Sequence, residues 1–155
     1  MEFHWIKPQR PCDIWTYSDI APDRTFRHMV FAYDFPSEDC IFRDVPHYFV
    51  TAELGEAIEA SGRRGVSRRP VETRLSEMYI QSYAAPASIP QVEQLMVTGV
   101  AGTDDFGLQH RLLLIVSDPV LALFRHHGLT HAEVVPYDPD YRIPTPAELL
   151  AGKPG

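Results

Sequence analysis

Three histidines, His126, His127 and His131, stand close together in the run His-His-Gly-Leu-Thr-His. Imidazoles at such spacing are a common beginning of a zinc site, because ring nitrogens four residues apart meet on one helix face. Here Gly128 falls between His127 and His131, at an expected helix end, and neither an HExxH nor an HxxEH frame surrounds them. Their ordinary role is to place positive charge at a helix C-terminus, where the dipole favours it. A small metal-dependent or acid–base enzyme built on these three residues is therefore the alternative reading, not the leading one. The cysteines are less promising still. Cys12 and Cys40 each lie beside an acid, which raises a thiol pKa and weakens the nucleophile. There is no Gly-x-Ser-x-Gly elbow. The glycines around Gly99-Val-Ala-Gly102 lack the lysine and the following helix of a phosphate loop. No catalytic residue, resident metal or cofactor is expected.

The carboxylates suggest recognition instead. Asp104-Asp105-Phe106 falls in a Gly- and Asp-rich turn between two apolar segments, with Phe106 a candidate aromatic anchor. Tyr137, Asp138 and Asp140 form a second acidic and aromatic patch in a Pro-rich stretch. These six residues are the candidate partner-binding set. The chain carries 14 basic and 21 acidic residues, a formal charge of −7, which disfavours nucleic acid and suits a basic protein partner. Five arginines between Arg63 and Arg74 go against that trend. On an edge strand they would also discourage sheet-to-sheet aggregation.

The elements that position these groups include a repeat. Val50 and Val116, Thr51 and Ser117, Leu54 and Val120, Ile58 and Phe124, Gly62 and Gly128, and Pro70 and Pro136 are pairs 66 positions apart. In each copy an apolar run ends at a hydroxyl residue suited to cap a helix, and an acid follows in the first turn. Apolar residues at i, i+3 and i+4 then give the helix one buried face, and a glycine ends it. The pattern predicts a strand–helix–strand unit twice, over about 48–71 and 114–137. Phe3–Lys7, Phe26–Asp34, Glu77–Tyr83, Val92–Val100 and Gln109–Val116 read as further strands. Ala147–Ala151 reads as a helical turn. The expected fold is α+β, with six to eight short strands and two short helices. At 155 residues this is one domain over 1–138, followed by a Pro-rich irregular tail over 139–155 whose last residues fray. The sequence shows no signal peptide and no run of the ~20 apolar residues a membrane helix needs, so a cytoplasmic protein without membrane contact is expected.

The stretch Leu112-Leu-Leu-Ile-Val-Ser-Asp-Pro-Val-Leu-Ala-Leu-Phe-Arg-His-His-Gly-Leu-Thr-His-Ala-Glu-Val-Val-Pro136 resembles the C-terminal part of bacterial immunity proteins from polymorphic toxin systems. Val97-Thr98-Gly99 through Asp104-Asp105-Phe106-Gly107 is similar to the segment that often precedes it, and Tyr48–Pro70 resembles an earlier helix of the same families. The resemblance covers about residues 45–138. It implies a protein that neutralises a cognate toxin by occlusion, with no catalytic residues to carry over. The first 45 residues match no family pattern.

Overall fold

The computed structural model describes residues 1–16 and 29–151. The two repeats are built alike. In the first, β4 (Ile41–Asp44) turns into β5 (His47–Thr51), which runs into α1 (Ala52–Ser61) and then β6 (Val66–Pro70). In the second, β9 (Phe106–Gln109) turns into β10 (Leu113–Ser117), α3 (Asp118–His127) and β11 (Glu133–Pro136). Thr51 caps α1 by accepting from the Leu54 N–H at 3.3 Å, and Gly62 ends it with a left-handed φ of 66°. Ser117 stands at the equivalent position before α3 but makes no cap bond; Pro119 and Asp118 begin that helix.

The two strands of each repeat are parallel, yet they never pair with each other. A strand from elsewhere lies between them. In the first unit it is β8 (Val92–Val97), antiparallel to both β5 and β6. In the second it is β1 (Phe3–Lys7), antiparallel to both β10 and β11. The sheet orders are β4-β5-β8-β6 and β9-β10-β1-β11, so the same four-stranded layout occurs twice. One central strand follows its repeat in sequence and the other precedes it by about a hundred residues. The two helices pack on one another and share a single core. Ile6, Leu114 and Val116 enter it from one sheet, Val50 and Leu95 from the other, and Leu54, Ile58, Val120 and Phe124 from the helices. Each such side chain, once fully buried, stabilises by about 1.5–3 kcal/mol.

A third sheet, β2 (Cys12–Thr16), β3 (Met29–Tyr33) and β7 (Glu72–Leu75), covers the outer face of the first unit. Alternation along β4, β5 and β8 sends Ile41, Val50 and Leu95 inward, and Phe42, Phe49 and Val92 outward against Phe31 and Tyr33. The fold is α+β, with eleven strands and four helices among the described residues rather than six to eight and two. The excess is mostly strands of four or five residues, too short to show a period. The expectation of a strand over Glu77–Tyr83 is corrected: Glu77–Ser82 is helix α2. Ser76 caps it by accepting from the Tyr79 N–H, and Tyr79 turns inward with Tyr83 one helical turn on, 5.4 Å between rings. Met78 and Ile80 are left exposed, so the apparent alternation there was not a buried face. Gln109–Val116 likewise divides into the end of β9, a turn and β10. Pro146–Ala151 forms the expected helical turn, α4. Residues 26–28 of the strand expected over Phe26–Asp34 and the fraying of 152–155 lie outside the described residues. No helix among the described residues is long and apolar enough to cross a membrane.

Candidate functional site

Among the described residues, no third sheet lies over the outer face of the second unit. The 98–105 turn and the chain beyond β11 lie there instead. Gly107 of β9 makes this possible: a Cβ at that position would stand 2.2 Å from the Ala101 nitrogen, so only glycine lets the turn rest on the strand. Gly102, at φ +78°, faces the Tyr137 ring just as closely. Tyr137 in turn meets Phe3 edge-on at 6.4 Å between centroids, and Tyr141 meets Trp5 at 5.1 Å. The Gln109 amide donates to the Asp138 carbonyl at 2.7 Å, and the His110 ring nitrogen is 2.6 Å from the Tyr141 carbonyl. The start of the Pro-rich segment thus packs on the sheet rather than trailing from it.

The structure brings the two predicted patches together but sorts their residues. Asp138 and Asp140 are exposed, with the Asp138 carboxylate accepting the Asp140 N–H at 2.9 Å. Asp104 is half-buried and closes its own turn, accepting from the Val100 N–H at 2.7 Å. Tyr137 is half-buried between Phe3 and Gly102. Phe106 departs from the expectation. It is fully buried, 6.2 Å from Phe124 in the shared core, because it starts β9 on the inward register. It does not serve as a surface anchor in this conformation. Asp105 also turns inward: it accepts from the Ser117 hydroxyl at 2.7 Å and from the Arg64 N–H at 3.0 Å. Burial opposes its charge, but the Arg64 and Ser117 hydrogen bonds and the nearby Arg63 and Arg64 charges outweigh this and hold its carboxyl below the usual range.

Asp105 has a counterpart that sequence reasoning missed. Asp39, 66 positions earlier and 3% exposed, accepts from the Thr130 N–H at 2.6 Å and from the His131 N–H at 2.9 Å. Thr130 is itself 66 positions beyond Arg64. Each unit's leading aspartate therefore satisfies the backbone after the other unit's helix. The 66-residue spacing already held this signal, since Asp39-Cys40 aligns with Asp105-Phe106.

The histidines do not assemble a metal centre. His126 and His127 are edge-on at 5.4 Å between rings, and the backbone of His131 is held by Asp39. Among the described residues, the three-residue set whose ligand atoms lie within 4.8 Å of one another is Glu2, His4 and Asp118. There His4 Nε2 is already 2.6 Å from Asp118 Oδ1, at the positive end of α3, which repels a cation. Cys12 and Cys40 are both buried and form no disulfide among the described residues. Burial, with Asp39 adding to it, pushes the Cys40 thiol up to about 12, so it is no nucleophile near neutrality. No family model, curated protein or solved structure matches the chain.

Proposed function

We propose that this chain is an immunity protein, which binds a cognate bacterial toxin in the cytoplasm and neutralises it by occlusion. It acts on a protein, not on nucleic acid or a membrane, and needs no cofactor. The observation that carries the reading is the contiguous surface on the second unit. The turn closed by Asp104, with Val100 62% exposed in it, meets Tyr137 at Gly102, and Asp138 and Asp140 follow Tyr137 in the segment that lies over the sheet. An apolar and aromatic centre rimmed by carboxylates suits a basic protein face. The net charge of −7 would speed encounter with such a partner. The resemblance of residues 45–138 to immunity families points the same way.

The test has two steps. The tagged chain is used to capture a stoichiometric partner from its native lysate, and the captured protein is then expressed with and without the chain. Growth arrest by the partner, relieved by co-expression, is the expected result. A captured enzyme whose activity is unchanged in the complex overturns the reading.

A further inference from the structure

Pairing between β5 and β8 begins at Tyr48 and Leu95, and beyond that point the β4–β5 hairpin leaves β8. A cleft of about 230 Å³ lies there. Met29 and Met96 give it apolar lining on the side where His47, Arg69 and Gln94 supply polar groups. Gln94 is 5% exposed. Its Nε2 lies 3.2 Å from His47 Nδ1, while its Oε1 is buried with no hydrogen-bond partner. With Nδ1 accepting from Gln94, the neutral ring carries its proton on Nε2 and is a donor. Burial lowers the His47 pKa, against the opposing Asp44 charge, which keeps the ring neutral near pH 7. Arg69 is the cross-strand neighbour of Gln94 and has no ion pair among the described residues. The cleft therefore joins an unpaired cation, an acceptor short of a donor and an apolar wall.

We infer that this cleft binds a unit made of a carboxylate, an amide N–H and a short apolar side chain. That is the chemistry of the last residue of a polypeptide with a free C-terminus, and also of a small N-acyl amino acid. The planar guanidinium of Arg69 matches the carboxylate. A ligand N–H that reaches Gln94 Oε1 supplies the donor it lacks, with Nε2 still held on His47. Met29 and Met96 take the side chain, Met96 standing on the same face of β8 as Gln94. The volume suits one residue, not a longer segment. The inference does not depend on the immunity reading, since the cleft uses none of that surface's residues and takes a different ligand.

The test is calorimetric titration of the full chain with four probes: N-acetyl-leucine, N-acetyl-leucinamide, and an acetylated tetrapeptide ending in leucine with a free or an amidated C-terminus. The expected result is binding of the acid forms, weakened about tenfold or more by amidation. Arg69→Gln, on an edge strand and checked for native circular dichroism, should erase that difference. A tetrapeptide acid much tighter than N-acetyl-leucine assigns the site to a polypeptide terminus, and equal affinities assign it to a small acid. No heat from any probe at millimolar concentration, or equal binding of acid and amide, overturns the inference.

Discussion

The two units share one layout, and their outer faces are covered in opposite ways. Over the first, a regular sheet seals the surface with fully buried rings: Phe31 is 4.8 Å from Tyr33, 5.2 Å from Phe49 and 5.7 Å from Phe42. Over the second, a turn and an extended segment lie on Gly107 and Trp5 with side chains half in water. The first cover is a second core. The second is held by a few ring contacts and hydrogen bonds, and it keeps the Asp138 and Asp140 carboxylates outside. A duplicated frame thus carries a second core on one face and, on the other, the surface proposed to meet a partner.

This contrast is tested most strongly by deleting a ring from each cover. Phe31→Ala should cost about 3–5 kcal/mol, the usual loss for a fully buried phenylalanine. Tyr141→Ala, which removes the Trp5 contact, should cost about 1 kcal/mol. Denaturant unfolding of both variants measures the difference. Equal losses would mean that the second cover is also core.

The paired aspartates sharpen the comparison at the next level of energy. Asp39→Ala leaves two backbone N–H groups unsatisfied at a buried site and should cost about 2–4 kcal/mol. Asp105, with a side chain 15% exposed, holds one N–H and one hydroxyl. Its removal should cost about 1–2 kcal/mol. Asp105 also carries a pH signature. Its folded pKa is lowered, so the unfolded chain takes up the proton first as pH falls. The stabilisation is present above the unfolded value of about 4 and is lost as pH drops through the folded value. Asp105→Asn should therefore flatten the acid limb of stability against pH. Asp118, held down chiefly by its hydrogen bond to His4, keeps part of that slope in the variant. An unchanged limb would remove Asp105 from the account.

What could be read from sequence follows from where the information lay. Both long helices were legible because their signals are local: Thr51 and Ser117 before, Gly62 and Gly128 after, and an apolar face between. The parallel strands of each repeat were legible for the same reason. The central strands were not, because β1 joins its unit from the far end of the chain and nothing at Phe3–Lys7 names its neighbours. Helix α2 was misread because Met78 and Ile80 mimic an alternating buried face while pointing to solvent. At the site, turn chemistry placed Ala101 to Asp105 between strands, but it ran the strand before them on to Val100 and kept Phe106 and Gly107 in the turn, where β8 ends at Val97 and β9 begins at Phe106. It did not say which way Asp105 and Phe106 faced. One position of strand register decides that, and register is set by β10 through the pairing of Phe106 with Val116.

The smallest effect on stability should accompany the clearest effect on recognition. Asp138→Asn and Asp140→Asn leave the local turn intact, and each should change stability by no more than about 0.5 kcal/mol. If the second unit's surface meets a basic toxin, the double variant should associate more slowly, with a shallower dependence on salt and little change in dissociation. A control removes two charges from the other unit: Glu53→Gln with Glu56→Gln, both exposed on α1. Global charge alone would make the two double variants equally slow, because each removes two negative charges. A local acidic rim makes the Asp138 and Asp140 pair the slower one. Stopped-flow association at two ionic strengths separates these outcomes. Equal rates would show that the units differ in how they are covered and not in what they recognise.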